Sequence, residues 1–313
     1  MSDGDGDVLV VGDTTIDLYP AAGEAIAPGS RLEWHVGGTA ANVARWAASL
    51  GSETSLLTNV GTDAVGEMAA RHLAEGPVDT THVTRVDGTS PLTMQVPTED
   101  GERWDAWIAG SCYGFTPPAD AAALVTPHEW VHLEGVTLPP GVNQSAVRRL
   151  AEAAADGDTR VSFDLNGRRN QWTTPDAYRQ ALRGVLQHCD LIFAGVDDLA
   201  VAGVERTPAG LLELLPCDHS ATVFLTDGPA ATTALTVEDG AVTERATARP
   251  PATTVATTAG AGDGFAGAVL AARHGGVSDL EELATVGNAA GAAAVSTVGP
   301  FDGDGISPVE QLL

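Results

Sequence analysis

Residues 257–272 read TTAGAGDGFAGAVLAA. Gly260, Ala261 and Gly262 expose backbone N–H groups with little side-chain obstruction, and an apolar, alanine-rich run of helical character follows. The start of a helix carries unpaired N–H donors and a partial positive charge, so this turn is suited to hold an anion. The best-known glycine-rich phosphate loop also needs a lysine, and this chain has none. Asp263, in the first turn, has two readings. It caps the helix, or it acts as a general base, taking a proton from a hydroxyl while the anion hole stabilises a transferring phosphoryl group. Spacing alone leaves both open. The overlapping GDGFAG, residues 262–267, is a literal GxGxxG. However, the segment that follows it, DLEELATVGNAAGAAAVS, reads as a second helix where a dinucleotide fold requires a strand.

Outward from this stretch, buried-strand patterns recur at 7–13, 53–61, 129–138, 159–166, 189–195 and 221–228. Alanine-rich helical patterns lie between them at 39–50, 64–75, 143–155, 175–187 and 208–215, and the chain reads as helical from 258 to about 296. Continuous apolar strands alternating with helices define the α/β class, a largely parallel sheet covered by helices. Residues 14–36 and 82–112 break the rhythm with alternating polar and apolar positions and a turn at 99–101. They are expected to form a small separate sheet, a lid over the edge of the main one. Neither a linker nor an internal repeat divides the 313 residues. The expected organisation is therefore one domain, 1–313, with that lid.

The chain carries 42 acidic residues against 16 basic ones, a formal charge of −26. The acids are scattered singly and in pairs, such as Asp197 with Asp198 and Glu281 with Glu282. Such scatter fits adaptation to concentrated salt better than an acidic tail. Near molar salt the Debye length is about 3 Å, which suppresses self-repulsion. No basic face exists to displace counterions from a nucleic-acid backbone. Three widely spaced cysteines form no disulfide framework. The acidic N-terminal residues do not read as a signal peptide, and no apolar run reaches the ~18 residues of a membrane span. A cytoplasmic enzyme or binding protein is expected.

One further literal motif, HEWVH at 128–132, matches the zinc-protease signature. That chemistry needs both histidines on one face of one helix. Here the surrounding WVHLEGVTL has strand character, so His128 and His132 are expected at a strand edge without zinc.

Two signatures far apart carry a resemblance. GGTAANVARWAASLG (37–51) and TTAGAGDGF (257–265) resemble the N- and C-terminal signatures of the PfkB, ribokinase-like carbohydrate kinases. Five shorter matches follow in the right order, VGDTTIDLYP before the first signature and VGTDAVGEMAARHL, DGER, FDLNGRRNQW and LTDG between the two. The resemblance implies a three-layer α/β/α sandwich and an enzyme that transfers the γ-phosphoryl group of ATP, with Mg²⁺, to a sugar hydroxyl. By position it makes Asp263 the catalytic base and Gly260, Ala261 and Gly262 the anion hole. Asp17, Gly37, Gly38, Asn42 and Arg168 would meet the sugar, and Thr226, Gly228 and Asn288 the nucleotide.

The chain departs from the family pattern at two important places. Thr257 stands where an aspartate usually helps to hold an activating monovalent cation, which weakens a K⁺ site. The Asn-x-x-Glu associated with Mg²⁺ is reduced to GVDD, leaving Asp198 to act on the metal through water. These losses keep a non-catalytic sugar or nucleotide sensor as the alternative of another class. Within the kinases, DLYP resembles fructokinases and favours a ketohexose such as fructose. An arginine at the end of FDLNGRR would suit the carboxylate of 2-keto-3-deoxygluconate, and Trp104 and Trp107 would suit a nucleoside base. The expected partners are the sugar and ATP, without nucleic acid or membrane. The open edges of a lid sheet also allow a homodimer.

Overall fold

Every residue of Val8–Val11 is buried, because the strand has helices on both faces. The computed structural model describes residues 7–20, 26–98, 101–108, 111–299 and 306–313. In chain order the strands are β1 (Val8–Val11), β2 (Thr15–Pro20), β3 (Leu32–Gly37), β4 (Thr54–Gly61), β5 (Val83–Val86), β6 (Leu92–Thr98), β7 (Gly101–Trp107), β8 (Trp130–Glu134), β9 (Arg160–Asp164), β10 (Leu191–Gly195), β11 (Ala221–Thr226), β12 (Thr232–Glu238) and β13 (Ala241–Ala248). The helices are α1 (Thr39–Ser49), α2 (Ala64–Glu75), α3 (Ala121–Val125), α4 (Gln144–Ala155), α5 (Pro175–Leu186), α6 (Val196–Ala202), α7 (Pro208–Leu212), α8 (Ala261–His274), α9 (Leu280–Ala294) and α10 (Ser307–Glu310).

Nine strands form the main sheet in the order β13-β12-β11-β10-β9-β8-β1-β4-β5. From β11 to β5 every pairing is parallel, whereas β12 and β13 add an antiparallel edge. Successive side chains on a strand face opposite sides, and the two cores follow that alternation. Leu9, Val11, Val131, Leu133, Val161 and Phe163 pack with α4 and α5, while Val8, Val10, Phe193 and Phe224 pack with α1, α8 and α9. This is the parallel sheet covered by helices that the alternation of segments implies, in the three-layer α/β/α arrangement that the resemblance implies.

The chain leaves β1 toward β4 on one side and returns through β8 on the other. Beyond the carboxyl ends of β1 and β8 is therefore a topological switch point, where open α/β sheets bind ligands. Asp13 follows β1 there, and Glu134 ends β8.

The second sheet has the order β3-β2-β6-β7. Its β2–β3 and β6–β7 pairs are antiparallel, but β2 and β6 run parallel. Residues 83–86, expected in the lid, instead pair in parallel with β4 at the edge of the main sheet. The second lid segment thus begins at Leu92; Val83 is partly buried against the main core, which accounts for its place there. Glu99 and Asp100 of the expected hairpin turn, and the side chains of Trp104 and Trp107, lie outside the described residues.

HEWVH does not form a helix. His132 lies within β8, wholly buried, with Nδ1 against Ser162 Oγ at 2.9 Å and Nε2 against Glu134 Oε1 at 3.2 Å. His128 precedes the strand and meets the Leu124 carbonyl at 3.1 Å. The two histidines have separate partners.

Candidate active site

The glycines of GDGFAG set the distance between α1 and α8. A Cβ at Gly267 would stand 2.6 Å from Trp46 Cβ and 2.8 Å from the Val43 carbonyl oxygen. At Gly264 it would meet the Trp46 ring at 3.2 Å. The close approach brings Asn42, on α1, to Asp263, on α8: Asn42 Nδ2 donates to Asp263 Oδ2 at 2.7 Å. Two residues 221 positions apart are thus joined by packing that the GxGxxG spacing serves.

Gly260 is the N-cap of α8, in the left-handed region at φ 78°, and has no side chain with which to cap the helix. The N–H groups of the first turn, from Ala261, Gly262 and Asp263, have no intrahelical acceptor. A Cβ on Gly262 would have Asp164 Oδ2 at 3.9 Å. The turn is therefore bordered by a carboxylate on one side and by Asp263 on the other. The recorded partner of Asp263 is Asn42, not the helix start, so its carboxylate faces α1 and is not used as a cap.

Six buried carboxylates gather at the ends of the parallel strands and on the lid: Asp13, Asp17, Glu134, Asp164, Asp198 and Asp263. Asp13 Oδ1 accepts from the N–H and hydroxyl of Thr39 at 2.9 and 2.8 Å, fixing the start of α1. Asn166 sits at φ 35°, a conformation that asparagine tolerates. Its Nδ2 donates to Glu134 Oε2 at 3.2 Å, and its N–H donates to Asp164 Oδ1, also at 3.2 Å. Desolvation, and next the charge of Glu134, push Asp263 up to about 8; Asn42 and Arg168 work in the opposite direction. The same two causes raise Asp13 to about 6. Burial, together with Glu134, Asp198 and Asp263, holds Asp164 well above the usual carboxylate range. Arg168 is exposed at the rim and stabilises the charged forms of Asp164, Asp198 and Asp263.

Asp17 lies on lid strand β2, buried, and accepts from Thr15 Oγ1 at 2.8 Å and Thr93 Oγ1 at 2.6 Å. Gly37 is required beside it, since a Cβ there would overlap Asp17 Oδ2 at 2.0 Å. Gly38, at φ 98°, passes within 2.7 Å of the Asp13 carbonyl oxygen and Thr14 Cα by the same measure. Gly37 leaves room for the Asp17 side chain, and Gly38 lets the chain entering α1 lie against the backbone of Asp13–Thr15. Asn42 Oδ1 is buried without a hydrogen-bond partner. It is an acceptor beside Asp263 and suited to a hydroxyl donor.

On the other side of α8, Thr226 ends β11 and donates to the Ala194 carbonyl at 3.4 Å. Gly228 turns at φ 50° with open space around it. Asn288 is engaged within the protein: it accepts from Thr232 Oγ1 at 2.7 Å and donates to the Ala248 carbonyl at 3.1 Å. That side chain ties α9 to β12 and β13, and its polar atoms are already used. Both oxygens of Asp198 accept backbone N–H groups, from Gly167 and Gly195, each at 2.7 Å. Among the described residues no three His, Cys, Asp or Glu side chains gather to hold a metal by themselves. Magnesium in phosphate sites uses one or two carboxylates with water and phosphate oxygens. Asp164, whose Oδ2 faces the turn, offers one such carboxylate, while both oxygens of Asp198 already accept backbone N–H groups.

Asp13, Glu134 and Asp164 are absent from the residues singled out by sequence. The signal available was positional: in VLVVGD, WVHLE and RVSFD an acid closes or follows a buried strand, where no packing reason calls for one.

A buried carboxylate beside an uncapped helix start, with a small second sheet next to it, suits one class of protein: a phosphotransferase whose acceptor is an alcohol. Comparison with known proteins makes the family plain. The pfkB family carbohydrate kinase pattern matches residues 5–303, and the chain belongs to that family. It is 29% identical over 286 residues to a fructokinase of Klebsiella pneumoniae, spanning 89% of each chain. To the 2-dehydro-3-deoxygluconokinase of Bacillus subtilis it is 23% identical over 283 residues, covering 85% of this chain and 82% of that one. An Escherichia coli protein crystallised with ATP and Mg²⁺ shares the fold, with a TM-score of 0.80, 21% identity and 98% of both chains covered. The protein is a carbohydrate kinase. No helix among the described residues is long and apolar enough to cross a membrane.

Proposed function

We propose that the protein phosphorylates a ketohexose, with fructose as the preferred acceptor, using MgATP. The observation that carries this reading is the Asn42–Asp263 pair, with its unpartnered Asn42 Oδ1 beside the open N–H groups of α8. Asn42 and Asp17 orient sugar hydroxyls. Asp263 takes the proton of the acceptor hydroxyl, whose oxygen forms a bond to the γ-phosphorus as the bond to the β,γ-bridging oxygen breaks and ADP leaves. The N–H groups of Ala261 and Gly262 receive the charge on the transferring phosphoryl group, the usual task of an anion hole. Asp164, and Asp198 through water, would hold Mg²⁺, which would supply neutralisation of charge on the phosphate oxygens. Thr226 and Gly228 border the nucleotide, while Asn288 holds the wall behind it.

The likeness to fructokinase favours fructose. Arg168 and the likeness to 2-dehydro-3-deoxygluconokinase favour a sugar acid as the second reading, because a guanidinium pairs well with a carboxylate. ADP release measured with fructose, 2-keto-3-deoxygluconate, cytidine and guanosine in molar KCl separates these. Turnover with fructose that persists in Arg168→Ala on the high-pH plateau, with only the rising limb moved to higher pH by loss of the guanidinium beside Asp263, supports the first reading. Loss of sugar-acid turnover in that variant, with fructose inactive, replaces it by the second. Sugar binding without phosphorylation of any compound supports a sensor and refutes both. The dispersed acidic surface suits function in concentrated salt, and the exposed Trp34 on lid edge strand β3 suits a dimer through the lid. Sedimentation of the wild type against Trp34→Glu tests the dimer.

A further inference from the structure

Gln95 belongs to lid strand β6 and lies two residues beyond Thr93, the hydroxyl partner of Asp17. Positions 93 and 95 share one face of a strand, so Gln95 is on the side of the lid that carries Asp17. It is only 7% exposed, and its Nε2 donates to Thr257 Oγ1 at 3.1 Å. Thr257 is 1% exposed, and the same oxygen also accepts the Ala259 N–H at 3.1 Å. From the other direction, the N–H groups of Ala256 and Thr257 reach the Val295 carbonyl, just past α9, at 2.8 and 3.4 Å. The turn leading to Gly260 is therefore pinned on one side by α9 and on the other by the lid.

A hydroxyl oxygen has two lone pairs, and Thr257 uses both. It has no free acceptor for a cation. The group that approaches it is an amide N–H, the positive end of a dipole, at the position where related kinases place a carboxylate and a monovalent ion. The Thr257 hydroxyl does not fit K⁺.

We propose that Gln95 is a positioning residue, which couples the lid to the phosphate-holding turn and takes the place of a monovalent cation, so that turnover requires no K⁺. The proposal rests on the reading of this site as a sugar kinase. Its consequence is directional: a sugar that settles the lid through Asp17 also settles Gln95, and with it the turn that precedes the anion hole.

The test separates cation identity from ionic strength, because an acidic protein responds to salt in general. Sugar phosphorylation and ATP affinity by calorimetry are measured for the full chain in KCl, NaCl and tetramethylammonium chloride at one ionic strength. Equal kcat in all three supports the proposal; selective activation by K⁺ of about tenfold or more, some 1.4 kcal/mol, overturns it. Gln95→Ala should lower kcat by about tenfold to a hundredfold through misplacement of the turn, with a smaller rise in sugar KM because lid and turn are coupled in both directions. Wild-type kcat in that variant also overturns the proposal. Gln95→Ala combined with Thr257→Asp should regain activity in KCl but not in tetramethylammonium chloride, a response that general loss of structure would not give. If no sugar is phosphorylated in any salt, the kinase reading fails. The cation series of ATP affinities then still reads the turn itself: tighter binding in K⁺ refutes the replacement of a cation by Gln95, and equal values support that replacement for nucleotide binding alone.

Discussion

Replacing Asp263 by Asn should make the protein more stable and nearly inactive. The side chain is 8% exposed and its pKa is raised from 3.8 to about 8, first by desolvation and next by Glu134. A carboxyl that is harder to ionise in the folded state than in the unfolded one favours folding less as pH rises. The penalty is absent below the unfolded value, grows between pH 4 and pH 8, and is complete above that. A gap of about four units at about 1.4 kcal/mol each sets a ceiling near 6 kcal/mol. Relaxation and water entry reduce such costs, so about 2–4 kcal/mol is expected at pH 8.5.

Asparagine keeps an oxygen for Asn42 Nδ2 and removes the charge. At about 2 °C per kcal/mol for a chain of this size, Tm should rise by about 4–8 °C at pH 8.5 and hardly at all at pH 4. Loss of the base should lower kcat by about 10² to 10⁴. Thermal unfolding followed from pH 4 to pH 9, beside kcat for both proteins, reads the two effects together. Near-normal kcat with a pH-independent loss of stability would show that Asp263 is merely structural and refute the reasoning.

The same carboxyl predicts the pH profile. A base must be ionised, so kcat/KM of the wild type should climb with pH and level off above an apparent pKa of about 8 for the free enzyme; a profile flat from pH 6 to 9 would contradict this. Removing the hydrogen bond in Asn42→Ala takes away an interaction that lowers that pKa, so the rising limb should move to higher pH while sugar KM increases. In Glu134→Gln the raising charge is lost, and the limb should move to lower pH. Gly267→Ala would overpack the α1–α8 contact, costing about 1–3 kcal/mol and separating Asn42 from Asp263; denaturant unfolding and kcat should both report it.

Much of the fold is visible in the sequence because buried parallel strands are nearly continuous apolar runs, as VLVV and LIFA show. The expected lid boundary was less accurate. VTRV, residues 83–86, alternates like the lid strands that follow, and only its partly buried Val83 and pairing to β4 assign it to the main sheet. In the site, Asp263 and Asn42 were legible through local motifs, but the bond between them depends on helix packing across 221 positions. Asp13 and Glu134 were each legible as an acid at a strand end, yet their mutual influence appears only when β1 and β8 become neighbours. Asn288 shows the opposite limit. Its place in the chain suggested the nucleotide, whereas Thr232 and Ala248, far away in sequence, occupy its polar atoms. Gln95 gave no signal, since only the closed arrangement of lid and turn gives it a partner.

The central claim is that Asp263 starts phosphoryl transfer from ATP to a sugar hydroxyl. A single-turnover quench of enzyme and MgATP mixed with fructose tests it most directly, wild type against Asp263→Asn. The account predicts about one phosphorylated sugar and one ADP per wild-type site on the turnover timescale, and none from the variant although it still binds both substrates. Equal bursts from the two proteins, or ADP formed without phosphorylated sugar, would contradict it.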